Sequence, residues 1–543
     1  MFNRIKKIVD WRLKVSQQIY IQLFTLLNLA LYSGPFLRYF LQRRPMVSQL
    51  LLHLLLPLFY LLAIMLLNIV FAALFHGWST KVLSVLILMT NSLCLYLMNI
   101  YRIQVNSMTM VNVFRIGPKL LGNLISRELV LYMLYMGLLP SLLVIFVIRI
   151  ERETGDWMAN IGFGSVSLLV IALVVGPSLY FRVSRTFLLV GNAHTLNYLM
   201  PINYMGNFVY LCGAKTRNML TRRKSGAVDQ KAKIRGKTVG NRKNLVVLVI
   251  GNSARSQNFS MNGYRKKTNE PLEKLNVISY KNVSSCGTSA VHSIPCIFSS
   301  LSRDKFRPLG GKTGENLLDI LRDVGFDVKW RSTRGGCLGL CAKGEYLSTM
   351  KMDKSGLDKS LLIALNRDIK QLKGRNTVIV LNQTGSQEPF YRRYPANFGR
   401  FTPVCGGGSG RCSLVEAVNS YDNTLYYSSY NVGRVINMLK KGVKDHNIVL
   451  IYVSDHGYGL GEDGLWGHSM AYEEANEYVT RVPMLLWFSS GSGQGFRVSE
   501  SCLRNKLSEK LSHDNIFHSL LGLFNIESKQ YDKNLDLFRS CRI

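Results

Sequence analysis

Residues 447–457 read NIVLIYVSDHG, an unbroken apolar run that ends in Ser, Asp, His and Gly. Two similar runs occur upstream, NLVVLVIGNS at residues 244–253 and TVIVLNQTG at residues 377–385. Continuous Val/Ile/Leu runs are typical of parallel strands that are covered on both faces, whereas half-exposed strands alternate apolar and polar residues. Residues 244–543 are therefore predicted to form an α/β domain with a mainly parallel central sheet.

Polar side chains follow each of these predicted strands. They are Asn252 after the first run, Asn382 and Gln387 after the second, and Asp455 and His456 after the third. Ligand sites of open α/β sheets lie beyond the carboxyl ends of the strands. An adjacent carboxylate and imidazole can bind one metal ion if the chain turns sharply at Gly457. A turn-capping Asp beside a surface His would give the same three letters, Asp-His-Gly.

A threonine in the segment SCGTS, Thr288, is the candidate nucleophile. A hydroxyl at a junction between a loop and a helix, supported by helix N–H groups and a metal ion, can attack a phosphoryl group. The alternative is that this threonine only caps the helix.

The first third of the chain contains five apolar runs without Lys, Arg, Asp or Glu in their interiors. They are residues 19–36, 50–74, 82–101, 129–148 and 161–181. Each is about as long as a helix that crosses a hydrocarbon core roughly 30 Å thick. Residues 1–183 are therefore predicted to form a five-helix transmembrane domain.

The chain is strongly basic, with 67 Lys and Arg against 33 Asp and Glu, a formal charge of +34. In a soluble protein this excess would suggest a nucleic-acid partner, but the apolar runs favour a surface held against anionic lipid. Residues 184–243 are predicted to be a basic juxtamembrane tether, which either contacts headgroups or is a solvated linker. No nucleic-acid partner is expected, because aromatic residues do not interleave with these charges.

Eight of the ten cysteines lie beyond residue 243, most of them in close pairs. An even number at short spacings predicts disulfides and an oxidising compartment. Five spans with the N-terminus inside would place the C-terminal domain outside the membrane, in agreement with the cysteines. A zinc ribbon at Cys337 and Cys341 is the alternative, but their three-residue gap differs from the common two-residue gap.

Several segments in order resemble the phosphoethanolamine transferases of Gram-negative inner membranes, a family that includes lipid A enzymes and mobile colistin-resistance enzymes within the sulfatase and alkaline phosphatase superfamily. The segments include VIGNSAR (249–255), SCGTSAVHSIPCIFSS (285–300), IYVSDHGYGLGEDG (451–464) and LSHDNIFHSLLGL (511–523). The likeness covers essentially the whole chain. It implies a multi-pass inner-membrane protein whose residues 244–543 are a periplasmic sulfatase-like catalytic domain.

The resemblance also implies a two-step reaction in which phosphoethanolamine passes from phosphatidylethanolamine to a threonine and then to lipid A or another envelope glycan. Thr288 is the implied nucleophile, and zinc is the implied cofactor, bound by Thr288, Asp455 and His456. His468 takes a substrate-side position, and Asn106 and Asn112 take positions that face the donor lipid. Spacing and resemblance together pair Cys286 with Cys296, Cys337 with Cys341, Cys405 with Cys412 and Cys502 with Cys541.

This chain departs from the family pattern where the chemistry is expected. A zinc-ligand glutamate is replaced by Asn252, and two histidines are replaced by Asn382 and Gln387. Two hypotheses follow: an active transferase whose zinc is also held by the Asn252 amide, or a catalytically inactive member that keeps the fold and lipid binding. His513 and His518 are expected only to cap and pack a helix.

Overall fold

The computed structural model describes most of the C-terminal domain and parts of the N-terminal region. The described residues are 13–36, 78–100, 105, 110, 127–151, 200–209, 212–213, 232–234, 242–306, 316–334, 336–341, 345–353, 355–372, 374–406, 412–470 and 472–543. The predicted spans at 50–74 and 161–181, and the candidate residues Asn106 and Asn112, lie outside these ranges.

The described elements are numbered here in chain order. The strands are β1 Leu13–Ser16, β2 Ile148–Glu151, β3 Lys233–Ile234, β4 Lys243–Gly251, β5 Ile278–Ser284, β6 Asp327–Ser332, β7 Glu345–Ser348, β8 Thr377–Asn382, β9 His446–Ser454, β10 Gly459–Leu460, β11 Trp466–Gly467, β12 Arg481–Phe488, β13 Leu511–Ser512 and β14 Ile526–Glu527. The longer helices are α1 Gln17–Tyr32, α2 Trp78–Ile100, α3 Arg127–Tyr132, α4 Leu139–Phe146, α5 Ala290–Ile297, α6 Leu317–Asp323, α7 Lys359–Lys370, α8 Leu414–Gly442 and α9 Asp514–Leu523. One-turn helices span Glu270–Glu273, Glu477–Thr480, Ser492–Gly495 and Glu500–Arg504.

Two described helical segments are long and apolar enough to cross a membrane, Trp78–Ile100 and Arg127–Phe146. A shorter apolar helix covers Ile19–Tyr32. These three segments coincide with three of the five predicted spans. In the second segment a π-helix, Met133–Leu138, joins α3 to α4. Gly137 lets this segment approach α2 closely, because a Cβ there would lie 2.7 Å from the Ser92 Oγ.

The central sheet of the C-terminal domain has eight strands in the order β13-β5-β12-β9-β4-β8-β6-β7. The three apolar runs of the sequence are its neighbouring strands β9, β4 and β8, which pair in parallel as predicted. Strand β12 is antiparallel to both β5 and β9, so the sheet is mixed with one reversed strand.

Both faces of the sheet are buried, which explains the unalternated strand sequences. Along β4, Val246, Leu248 and Ile250 pack into one apolar cluster with residues of α5, α6 and α9. Leu245, Val247 and Val249 point to the other face and pack with residues of α7 and α8. The apolar run of β4 thus contributes side chains to the hydrophobic cores on both faces of the sheet.

Helix α8 has a capping box at its start, in which the Ser413 side chain accepts from the Glu416 N–H while the Glu416 carboxylate accepts from the Ser413 N–H. These contacts satisfy two of the N–H groups that a helix start leaves without partners. They fix where this 29-residue helix begins its path across the sheet.

The chain divides into two compact units, with the division between Cys212 and Gly213. This point falls inside the predicted tether. Within that tether, β3 pairs with β14 near the C-terminus, so residues 233–234 are part of the second unit. The predicted boundaries 1–183, 184–243 and 244–543 otherwise remain expectations.

Four disulfides join the cysteines of the second unit. The pairs are Cys286–Cys296, Cys337–Cys341, Cys405–Cys412 and Cys502–Cys541. These are the predicted pairs, and the zinc-ribbon alternative for Cys337 and Cys341 was wrong.

Candidate active site

The site forms where the neighbouring strands β9, β4 and β8 end. The register aligns Gly251 at the end of β4 with Ser454 at the end of β9. Beyond these ends, the Asp455 N–H donates to the Gly251 carbonyl at 3.0 Å, and the Ser386 N–H donates to the Asn252 carbonyl at 2.8 Å. Residues that are more than 60 positions apart in sequence therefore meet at one edge of the sheet.

Asp455 is fully buried and held in place by the backbone. Its Oδ1 accepts from the N–H groups of Ser253 at 3.2 Å and His456 at 2.8 Å. Ser253 adopts a left-handed conformation with φ 58°, a costly geometry for a residue with a side chain and one that often occurs at functional sites. Burial raises the pKa of Asp455 to about 6, while the nearby Arg334 guanidinium opposes this shift.

The imidazole of His456 has one satisfied nitrogen and one without a partner. Its Nδ1 lies 2.7 Å from the Gly457 carbonyl, which only accepts, so Nδ1 carries the proton. The buried Nε2 has no hydrogen-bond partner within the described part of the chain. Burial lowers the pKa of His456 to about 3, so the ring is neutral at pH 7 and Nε2 presents a lone pair.

Glycine at 457 is required by a close backbone contact and not by its φ angle. A Cβ at this position would lie 2.1 Å from the Tyr478 carbonyl oxygen. The Gly457 N–H also donates to the Val479 carbonyl at 2.8 Å. Any larger residue would push apart the segment that carries Asp455 and His456.

Thr288 lies in the turn before α5 and contacts the segment 468–470. Its hydroxyl donates to the Met470 carbonyl, and its own carbonyl accepts from the Ser469 N–H at 2.7 Å. The neighbouring His468 stacks on His456, with ring centroids 4.4 Å apart and an interplanar angle of 27°. Burial also lowers the pKa of His468 to about 3. The segment 468–470 thus connects the predicted nucleophile to His456.

The β4–β8 side of the site is made of amides. The Asn252 Nδ2 donates to the Thr384 carbonyl at 2.8 Å and to the Gln387 Oε1 at 3.3 Å. The Asn252 Oδ1 accepts from the Ser253 hydroxyl at 3.4 Å. Asn382 points elsewhere, because its Nδ2 donates to the Ser332 Oγ on β6 at 3.1 Å. Of the two amides that replace histidines, Gln387 forms a hydrogen bond with Asn252, whereas Asn382 bonds to β6.

His513 corrects an expectation from the sequence. It precedes α9, but its side chain makes no capping bond to that helix. Its Nδ1 accepts from the Cys286 N–H at 3.0 Å, and its Nε2 donates to the Ser454 carbonyl at 2.9 Å. His513 therefore ties the loop before Thr288 to the strand end before Asp455. His518 instead accepts from the Asp532 N–H through Nδ1.

Sequence reasoning also missed Arg334, whose Nη1 lies 3.3 Å from the Asp455 Oδ2. Arg334 follows β6, which pairs with β8. The signal was present in the chain, as a basic residue just beyond a strand, but it becomes informative only when the position of β6 in the sheet is known.

Two atoms of the site are spaced much as two ligands of one tetrahedral metal ion would be. Two ligand atoms that each lie about 2.0–2.1 Å from one tetrahedral ion are about 3.4 Å apart. The His456 Nε2 lies 3.6 Å from the Asp455 Oδ1, close to that separation. A second group of potential ligands, formed by Cys286, Cys296 and Asp514, does not suit a metal because the two cysteines are bonded to each other.

Comparison with known proteins agrees with this architecture. The profile described as "Sulfatase" matches residues 244–526, and the profile described as "Phosphoethanolamine transferase EptA/EptB" matches residues 63–215. Phosphoethanolamine transferase EptA of Escherichia coli (strain K12) is 30% identical over 486 residues, which are 88% of this chain and 88% of the relative. Phosphatidylethanolamine transferase Mcr-1 from Escherichia coli is 27% identical, covering 83% of this chain and 84% of the relative.

A solved structure extends the likeness over nearly the full length. The integral membrane lipooligosaccharide phosphoethanolamine transferase A from Neisseria meningitidis matches with a TM-score of 0.86 and 27% identity, over 97% of this chain and 99% of that chain. The soluble domain of the same transferase matches with a TM-score of 0.55 and 33% identity. This chain belongs to the phosphoethanolamine transferase family, whose catalytic domain has the sulfatase fold.

Proposed function

We propose that this protein is an inner-membrane enzyme that moves phosphoethanolamine from phosphatidylethanolamine, through a phosphoethanolamine-threonine intermediate at Thr288, to lipid A or another envelope glycan. Family membership supports the transfer of phosphoethanolamine. The observation that carries the proposal is the site itself: a threonine in the turn before a helix, connected by the segment 468–470 to a buried Asp–His pair.

Zinc is the cofactor that these residues fit best. The His456 Nε2, which has no hydrogen-bond partner among the described residues, and the nearby Asp455 carboxylate supply a nitrogen and an oxygen ligand, a donor set that zinc favours. Thr288 and the Asn252 Oδ1 would complete the set. Bound zinc would lower the pKa of the threonine hydroxyl and offset negative charge on the phosphoryl oxygens.

The first half-reaction forms a bond between the Thr288 Oγ1 and phosphorus and breaks the bond between phosphorus and the diacylglycerol oxygen. The threonine proton leaves, and the diacylglycerol oxygen gains a proton as it departs. In the second half-reaction a phosphate or hydroxyl oxygen of the acceptor attacks phosphorus, the bond between phosphorus and the Thr288 Oγ1 breaks, and that oxygen regains a proton. The N–H groups at the start of α5 can stabilise the phosphoryl group between these steps.

His468 stacks on His456, and the segment 468–470 contacts Thr288. We assign His468 to the substrate side of the site because the residue is only partly buried and a neutral imidazole can donate or accept a hydrogen bond at a substrate oxygen. Asn106 and Asn112 stay candidates for donor-lipid contacts.

Both proposed substrates are membrane amphiphiles, which agrees with the apolar helices of the first unit. The four disulfides require an oxidising compartment. We therefore assign the catalytic domain to the periplasm and residues 1–183 to a multi-pass membrane domain.

The test is diacylglycerol release by the purified full-length protein in detergent, with labelled phosphatidylethanolamine and zinc. Release that disappears in Thr288→Ala and persists in Thr377→Ala, a threonine at the start of β8 and so at the opposite end of that strand from the site, would support the phosphoethanolamine-threonine step. The inactive-member hypothesis predicts no release from the unchanged protein. Under that hypothesis, a variant that combines Asn252→Glu, Asn382→His and Gln387→His would gain release.

A further inference from the structure

Arg334 brings a positive charge to the buried carboxylate of the site. Its Nη1 lies 3.3 Å from the Asp455 Oδ2, while 21% of its side chain is exposed and that of Asp455 is not exposed at all. A group in solution can therefore reach the guanidinium without entering the core.

Arg331, on the same strand end, shows how a purely structural arginine is bound in this fold. Its Nε and Nη2 each donate to a different oxygen of Asp368 at 2.7 Å, and Nη2 also donates to Glu345 at 2.7 Å. Only 1% of its side chain is exposed. This is a bidentate pair that is sequestered from solvent.

Arg334 has none of these features. It makes one ion-pair contact at the long end of the hydrogen-bond range, and its other guanidinium N–H groups make no hydrogen bond within the described residues. Asp455 does not depend on Arg334 for its position either, because its Oδ1 already accepts from two backbone N–H groups. The guanidinium thus retains donors without an acceptor among the described residues, in a site where an anion is expected.

A second nearby arginine, Arg393, already donates to backbone carbonyls. Its Nε donates to the Gln387 carbonyl and its Nη2 to the Glu388 carbonyl, both at 2.8 Å. Burial lowers the pKa of Arg393 to about 10. Arg393 therefore braces the loop after β8 and is not placed to bind an incoming group.

We propose that Arg334 binds the phosphoryl group that is being transferred, by donating to its non-bridging oxygens while Thr288 attacks. This inference rests on the proposed function. A guanidinium fork matches two oxygens of a phosphate, and its fixed charge stabilises the negative charge on those oxygens as the phosphorus–oxygen bonds exchange.

The experiment compares full-length wild type with Arg334→Gln and Arg334→Lys in detergent. Three measurements are made. The first gives kcat and the KM for phosphatidylethanolamine in diacylglycerol release, the second gives zinc affinity by competition with a chelator, and the third gives binding of inorganic phosphate to the zinc-loaded protein. Arg434→Gln, at an exposed arginine on α8 that stacks on Tyr430, is the matched control for loss of one positive charge.

We expect Arg334→Gln to lower kcat/KM by at least about tenfold and to weaken phosphate binding, with Arg334→Lys intermediate, since an ammonium group restores charge but not the fork. Zinc affinity should stay equal or become tighter, because Asp455 loses a competing cation. Arg434→Gln should match wild type in all three measurements.

Two outcomes would overturn the inference. If Arg334→Gln loses zinc in parallel with activity, Arg334 only positions Asp455. If phosphate binding and kcat/KM are both unchanged, the guanidinium does not contact the phosphoryl group. Phosphate binding also separates this inference from the proposed function: a wild type that releases no diacylglycerol but binds phosphate through Arg334 would contradict the transfer reaction and keep the anion site.

Discussion

The two sides of the active site differ in how far protein hydrogen bonds satisfy their polar side chains. On the β9 side, Asp455 contributes a buried carboxylate, and His456 contributes a buried ring nitrogen that has no hydrogen-bond partner in the part of the chain that the structure describes. On the β4–β8 side, the Asn252 amide donates to the Gln387 side chain and to the Thr384 carbonyl. A metal ion can satisfy the first side, whereas the second side already satisfies much of its own hydrogen-bonding capacity. Metal affinity should therefore depend mainly on the β9 side, with the amides as the weaker half.

The largest effect should come from removing the charge on the β9 side. Asp455→Asn keeps the shape and an oxygen that can accept from Ser253 and His456, so the fold should survive. Zinc affinity should fall by more than the roughly 10- to 100-fold that loss of a ligand's hydrogen-bonding partner causes. Chelator competition measures this affinity, and circular dichroism checks the fold. Retained zinc binding in a folded Asp455→Asn protein would contradict the assignment of this carboxylate as a ligand.

Adding a charge to the amide side should reduce the contrast between the two sides. Asn252→Glu should raise zinc affinity by at least about tenfold, because a carboxylate is a stronger ligand for a divalent ion than a neutral amide. A glutamine side chain has the length of glutamate but no charge, so Asn252→Gln is the matched control. Equal zinc affinity in both variants and wild type would mean that residue 252 does not face the metal.

His513 tests how firmly the β9 side is braced. His513→Asn can keep an acceptor for the Cys286 N–H, whereas His513→Gln can keep a donor for the Ser454 carbonyl. Each variant leaves one buried backbone group unsatisfied, so each should lose about 1–3 kcal/mol of unfolding free energy.

Because Cys286 belongs to the loop that carries Thr288, His513→Gln should reduce kcat for diacylglycerol release more than His513→Asn, with KM little changed. Thermal unfolding of both variants separates a general loss of stability from this ordered effect on turnover. Equal turnover in the two variants would show that the bond to the nucleophile loop is not important for catalysis.

The smallest effect concerns a carboxyl on the β8 side. Burial raises the pKa of Glu388, which accepts from the Trp466 indole N–H at 3.3 Å. A carboxyl whose folded-state pKa is raised holds its proton longer in the folded state, so its contribution to stability falls as pH rises above its ordinary pKa of 4.5. Glu388→Gln should remove this loss of stability at higher pH, because glutamine does not ionise.

Thermal unfolding of Glu388→Gln and wild type should therefore differ little at low pH, with the variant gaining the advantage towards neutral pH. Glu345→Gln, at an exposed carboxylate on β7 that pairs with Arg331, is the contrast. A stability difference for Glu388→Gln that does not vary with pH would contradict the raised pKa.

Much of the fold could be predicted because the signals are local. The runs of β4, β8 and β9 have no polar interruptions, so burial on both faces follows directly from their composition. The polar residues just beyond these strands were predictable for the same reason, since the carboxyl ends of parallel strands share one edge. The reversal of β12 was not predicted, because an apolar run indicates a buried strand but not the direction of that strand in the sheet.

The sequence by itself determined the family, the α/β class, the position of Asp455 and His456 at a strand end, and the cysteine pairs. Only the tertiary structure decided that Arg334 faces Asp455, that His513 joins two loops, and that Gln387 bonds to Asn252 whereas Asn382 bonds to β6. The physical reason is that these contacts join residues up to 227 positions apart. They depend on the strand order and on the direction in which each side chain leaves its loop, and neither is encoded in a local pattern.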